Sequence, residues 1–411
     1  MIGDDMEQAR KILILCLRGR WETGALEAAR AAGQAAGPGT WEAVQRLAER
    51  EGLAPLLYHV ARGRELLPST VEEELCMAYY ATARENLVRF HEMDRILAAL
   101  ASGGLPTIVL KGTALAEAVY RNPALRPMGD LDLLLHPADV RRAIDLLSVL
   151  GYQPTGAEPH AGHQLAFENE IILTRPDPAG CPVELHWSLF DSLYYQRVLP
   201  IAWFWHTAQP LSATQALASN PSPGGSSNLP TVPGERSGLL LCPEAQLLHL
   251  CGHLALHHGA GERWRELWLH DIAEVMTCYR HEIDWNVLLD QAQACELVLP
   301  VQQVLARVVE DWQVPLPDGV PDRLRSLRPA RHEQKVFREL TTPHRSVGRR
   351  FWTDLTALSG WRARFRFAWN WLLPSAAYMR QRYAIRHRWL LPAYYPYRWW
   401  VGLSGLLRAR R

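Results

Sequence analysis

The chain has 411 residues, 48% of them apolar, and 44 basic against 43 acidic side chains, for a formal net charge of +1. That length exceeds one small domain and allows two or three. The charge balance names no partner class, and no segment reaches the ~18 uninterrupted apolar residues of a spanning helix. Seven cysteines (Cys16, Cys76, Cys181, Cys242, Cys251, Cys278 and Cys295) are scattered, odd in number and without a CxxC pair. They point to reduced thiols in a cytoplasmic protein rather than to a disulfide framework or structural zinc. The N-terminus opens acidic with a short apolar run, which is neither a signal peptide nor a membrane span.

Residues 5–104 are predicted helical. Ala9, Ile12, Leu13, Cys16 and Leu17 recur at helical spacing, and 75–100 read as one long helix stopped by Ser102-Gly103-Gly104-Leu105-Pro106. Region 1–104 is therefore expected to be a helical block packed on the core that comes after it in the chain, with no chemistry of its own. Region 105–211 changes to a mixed pattern. Ile108, Val109 and Leu110 predict a buried strand, Lys111-Gly112-Thr113 a turn, and 114–120 a short helix. A connector with Arg121 and Arg126 leads to a second strand carrying Asp130 and Asp132 ahead of Leu133, Leu134 and Leu135. Alternate strand residues share a face, so the two acids are expected to project together and to need a cation. Hard carboxylate oxygens suit Mg²⁺.

Pro137 is expected to open a helix running to Leu150, with Gly151 ending it. Residues 165–174 alternate as a strand or hairpin. The segment 182–187, PVELHW, predicts a strand with Glu184 and His186 on one face and Val183, Leu185 and Trp187 on the other. Residues 212–238 collapse into Ser, Pro, Gly and Asn, the composition of a flexible linker. Helical patterning returns over 239–330, in segments 243–258, 262–281, 284–295 and 297–312, with Asp284 a candidate N-cap. Region 331–411 is helical, basic and Trp-rich: residues 349–411 hold thirteen arginines, seven tryptophans and one acid, Asp354. Three readings of that tail stay open: a helical subdomain with solvated arginines, an interfacial helix on anionic lipid, and a nucleic-acid surface.

Nucleotidyl transfer needs metal ions on the triphosphate, donors for the phosphates, and a further carboxylate near the attacking hydroxyl. In chain order the sequence offers Gly112 and Thr113 between strand and helix, Asp130 and Asp132 as metal ligands, and Glu184 as a third acid. Lys111 and Arg126 are candidate phosphate contacts. Lysine occurs only three times in the chain, so Lys111 is a weak signal in its own right. A second cluster, His249, His253, His257 and His258 with His270 and Asp271 beyond, invites zinc by its i, i+4, i+8 spacing. It lacks an HExxH glutamate, and its leucines suit a helix face packed on the sheet.

LKGTAL, GDLDLLL, VELHWSL, PEAQLLHLCGHLALH, WLHDIAEV and DWNVLL, in that order, resemble the bacterial uncharacterised nucleotidyltransferase family of the DNA polymerase β-type superfamily. The resemblance covers residues 80 to 310. It implies an α+β fold: a small mixed-sheet nucleotidyltransferase core with a helical N-terminal block and a helical C-terminal domain facing the cleft. It also implies an NTP such as ATP as donor, Mg²⁺ or Mn²⁺ held by Asp130, Asp132 and Glu184, and transfer of an NMP to a hydroxyl-type acceptor with pyrophosphate released. Lys111, Gly112, Thr113 and Arg126 would bind nucleotide, and His186, His253 and Asp271 would lie on the acceptor side. Thr113 stands where serine is usual, and Glu184 where aspartate is frequent. The alternative is an inactive module that binds nucleotide or a partner on the same fold.

Overall fold

A mixed seven-stranded sheet runs through the protein in the order β3–β4–β5–β2–β1–β7–β6. Its strands are β1 (Ile108–Val109), β2 (Leu131–Leu134), β3 (Gln153–Pro154), β4 (Glu170–Thr174), β5 (Val183–His186), β6 (Gln209–Pro210) and β7 (Leu239–Leu240). The structure is a computed structural model that describes residues 2–35, 39–177, 180–211, 237–258, 264–343 and 347–408. Residues 212–236 of the predicted linker lie outside the described residues. The fold is α+β, as expected.

The centre of the sheet is what matters for chemistry. β2 lies antiparallel to β1 and parallel to β5, with Asp132 opposite Glu184 and Leu134 opposite His186. Leu131, Leu133, Leu134, Val183 and Leu185 are all fully buried, which gives a strand pair enclosed on both faces and fixes its register. β7 pairs in parallel with β1. Two residues are too few for periodicity to signal a strand, yet this pairing ties the start of the helical half into the same sheet.

Among the described residues five helices precede β1: Ile2–Arg18, Thr23–Ala35, Thr40–Glu51, Ala54–Ala61 and Ser69–Ser102. The last buries Leu75, Tyr79, Ala83, Asn86, Phe90, Met93, Leu97 and Leu100, a stripe at helical spacing. Arg10 on the first helix pairs with buried Glu266 at 2.6 Å and also with Asp311, fastening the block to the helical half. Those later helices are Pro243–His257, Glu266–Cys278, Trp285–Ala294 and Val298–Trp312.

Several element boundaries differ from expectation. The Lys111-Gly112-Thr113 turn is itself the first turn of a helix, Lys111–Leu115, which continues as a π-helix over Ala116–Tyr120. The stretch 165–174 splits into a short helix, His163–Phe167, and β4. The helix after Pro137 begins at Val140.

Candidate active site

Parallel pairing of β2 with β5 sets Asp132 beside Glu184, and His186 follows on the same face of β5. One ligand atom from each of Asp132, Glu184 and His186 lies within 4.8 Å of the others, and among the described residues this is the one such group of three. His186 Nε2 sits 2.9 Å from Asp132 Oδ1 and 3.4 Å from Glu184 Oε2, while its Nδ1 lies 3.1 Å from Glu170 Oε2. The Lys111 ammonium donates to Asp132 Oδ1 at 2.7 Å and lies 3.7 Å from Glu184 Oε2.

Burial opposes ionisation of Asp132, which is 1% exposed, but Lys111 and the His186 hydrogen bond hold its carboxyl well below the usual range. Burial and Lys111 act to discharge His186. The Asp132 hydrogen bond and the nearby Glu170 and Glu184 carboxylates outweigh them and push the imidazole up to about 10, so it is an imidazolium at neutral pH. Asp130 lies one residue ahead of β2 and is half-buried. Burial, with the charges of Asp132 and Glu184, pushes it up to about 6. It is outside the group of three, and its backbone carbonyl accepts the Thr113 hydroxyl at 3.3 Å.

Asp130, Asp132, Glu170 and Glu184 line one cavity of about 680 Å³ together with Asp191, Asp271, Lys111, Arg126, Arg265 and His186. Six carboxyls against Lys111, Arg126, Arg265 and the His186 imidazolium leave an excess that a divalent cation would balance, and Asp132 and Glu184 supply the carboxylate oxygens for such an ion. The residues fit a metal site.

Beside it, Lys111 adopts a left-handed backbone, φ 47°, uncommon for a residue with a side chain. Gly112 is needed because of what it faces: a Cβ there would stand 2.0 Å from Arg126 Nη1. Arg126 is buried and already engaged. Its Nη2 donates to Asp271 Oδ2 at 2.9 Å, its Nε to Asp271 Oδ1 at 3.4 Å, and its Nη1 to the Pro127 carbonyl at 3.0 Å. The Tyr120 hydroxyl donates to Asp271 Oδ1 at 2.8 Å. Asp271 thus spends its oxygens on Arg126 and Tyr120 and holds the arginine in place from the helical half. From the other side, Asn86 donates to the Pro123 and Arg126 carbonyls, both at 2.7 Å. The N-terminal block, expected to pack on the core without chemistry of its own, braces the connector.

His253 lines the opposite wall of the cavity with His257, His258 and Trp268, and the His258 and Trp268 rings lie 4.1 Å apart. Burial holds His253 well below its ordinary value and His257 down to about 4, so both are neutral. Among the described residues these histidines join no group of three metal ligands. His270, beyond this cluster in the chain, sets its Nδ1 2.8 Å from the Tyr120 hydroxyl.

A model of the family described as Uncharacterised nucleotidyltransferase matches residues 37–312. The chain belongs to that family. The match starts well ahead of residue 80, where the motif resemblance began, so the family's own region includes most of the N-terminal helices. It ends at Trp312, leaving the basic tail outside. The crystal structure of an antigenic nucleotidyltransferase-like protein from Paracoccidioides brasiliensis is similar at 15% identity, with 58% of this chain and 93% of that one covered and a TM-score of 0.31. No curated protein matches the chain.

Sequence reasoning did not find Glu170, Tyr120 or Trp268. Glu170 reaches the site only because β4 pairs with β5 so that it faces His186; no spacing in the chain encodes that. Tyr120, at the end of the helix before the connector, and Trp268, which opens WLHDIAEV, lay within the resembling stretch but were given no role.

Proposed function

We propose that this nucleotidyltransferase moves a nucleoside monophosphate from an NTP to a hydroxyl-type acceptor and releases pyrophosphate. The observation that carries the reading is the convergence of Asp132, Glu184 and His186 at the floor of one cavity. Asp132 and Glu184, with Asp130 at the rim, would hold Mg²⁺ or Mn²⁺, whose chemistry is to neutralise the triphosphate and the charge developing on it. His186 positions Asp132 by a hydrogen bond and Glu184 by its charge at 3.4 Å. Lys111, Gly112, Thr113 and Arg126 form the donor side. Lys111 would supply a cation to the triphosphate, and Gly112 leaves room for Arg126 on that side. In the transfer, the acceptor oxygen bonds to the α-phosphorus and the bond from that phosphorus to the bridging oxygen breaks. The electron pair leaves on pyrophosphate, and Glu184 takes the hydroxyl proton. The wall of His253, His257, His258 and Trp268, from the helical region 239–330, would receive the acceptor, with Asp271 acting indirectly through Arg126. Seven free cysteines fit a reducing, cytoplasmic setting.

Labelled ATP, Mg²⁺ and a cell extract as acceptor source test the reading. Asp132→Asn is expected to lower acceptor labelling roughly 100-fold, and Glu184→Gln to lower it as well. Equal labelling by wild type and Asp132→Asn would sink the proposal.

One observation favours a second reading. The Lys111 ammonium lies between Asp132 and Glu184, the same place a metal would be needed, so the site is partly compensated without an ion. A binding module of that kind would take up ATP equally with and without Mg²⁺ in calorimetry, and would release no pyrophosphate with any acceptor.

A further inference from the structure

The helices beyond the family match carry a surface that nucleotide chemistry does not use. In Trp361–Leu372, Phe367 is buried against Phe167 and Phe351, with ring centroids 5.2 and 5.6 Å away, and Asn370 is buried on the same side. The outer face is open: Trp361 is 73% exposed, Phe365 62%, Trp369 49% and Leu372 42%. At roughly 100° per residue these four fall within about 80° of arc. Arg364 lies on one flank of that arc, with Arg362 and Arg366 on the other. Trp399 prolongs the stripe, since its indole N–H donates to the Leu372 carbonyl at 2.8 Å; Trp400 beside it is 64% exposed. Contiguous exposed aromatics on this scale mark an interaction surface.

We infer that this face docks on an anionic lipid bilayer, with the tryptophans at headgroup depth and the arginines on lipid phosphates. Charge complementarity selects the occupant: residues 349–411 hold thirteen arginines and one acid, and Arg362, Arg380, Arg382, Arg386 and Arg388 are exposed. A second copy of the chain would set arginine against arginine. Nucleic acid would share the charge preference, but bases bind by stacking on open ring faces. Here Arg362 already lies over Trp361 at 5.6 Å, and aliphatic Leu372 offers a base nothing to stack on. Among the described residues no helix is long and apolar enough to cross a membrane, so the chain would lie on the bilayer. Arg350 also reaches Asp191 of the cavity lining at 2.8 Å, which connects this region to the cleft.

Flotation of the full chain with phosphatidylcholine vesicles, with and without about one third phosphatidylglycerol, tests the inference. Binding to the anionic vesicles alone is expected, with bromolipids in the membrane quenching tryptophan fluorescence. The triple substitution Trp361→Ser, Phe365→Ser, Trp369→Ser should cut the bound fraction about tenfold with unchanged circular dichroism, because those side chains are exposed. Absence of wild-type flotation, or flotation without quenching, overturns the inference whatever the variant does. So does retention of single-stranded RNA by a chain that ignores vesicles, or a self-association that the triple substitution abolishes.

Discussion

Asp271 is the residue through which the helical half reaches the donor side of the cavity. It is 1% exposed and holds Arg126, itself 8% exposed, by two hydrogen bonds. Removing one partner of such a buried pair leaves a largely desolvated charge without its main counter-ion, a loss of about 3–5 kcal/mol. Asp271→Ala should therefore lower the urea midpoint by that equivalent. Adding Arg126→Met to it should recover part of the loss, since the stranded charge goes too. A double variant as unstable as the two single losses summed would show that the pair is not coupled. The same arginine explains Gly112, because any larger residue would drive a methyl into a guanidinium that Asp271 prevents from moving away.

At the level of elements, the Trp285–Ala294 helix shows how local signals hold the cavity wall in place. Asp284 Oδ1 accepts the backbone N–H groups of Asn286 and Val287 at 2.9 and 3.2 Å, which satisfies two of the helix's open donors. Its own backbone N–H donates to Glu244 Oε1 at 2.7 Å on the Pro243–His257 helix. Asp284→Ala should cost about 1 kcal/mol, read as a lower thermal midpoint, while Asp284→Ser should restore most of it; equal midpoints for wild type and Asp284→Ala would refute the capping role. The π-helix at Ala116–Tyr120 is the opposite kind of element. Its widened turn places Tyr120 against Asp271 and His270, a tertiary requirement with no capping or periodic signature.

Across the whole molecule, buried histidines link stability to pH. Burial lowers His249 and His270 to about 3, and the two are 1% and 0% exposed. In the unfolded chain each would titrate near ~6.5. The folded pKa is depressed, so the unfolded state binds more protons between those values, and stability is lost as pH falls below the unfolded value. At pH 5 each costs about 2 kcal/mol relative to neutral pH. Glu333 works in the other direction: burial raises it to about 7, so its carboxylate weakens the fold as pH rises. Replacing His270 by Gln should flatten the fall in melting temperature between pH 7 and pH 5 by about one proton's worth. An unchanged slope would mean that His270 is already charged in the fold.

The signals along the chain were strongest where structure is local. Apolar spacing located the long helices, Asp284 announced its cap, and the ordered motifs pointed to a nucleotidyltransferase fold, because helix periodicity and buried strands are written in neighbouring residues. The site depended on distance in the chain. Asp132 and Glu184 were singled out by residue type, but their meeting comes from the parallel pairing of β2 with β5, and that register is set by leucines packed from both faces. The two neighbouring aspartates were expected to project together onto a cation; the tertiary structure gathers Glu184, His186 and Lys111 around Asp132 and leaves Asp130 outside the group of three. Sequence alone determined which chemistries the chain contains. Only folding decided which charges would share a cavity, because Coulomb energies depend on separations that chain spacing does not encode.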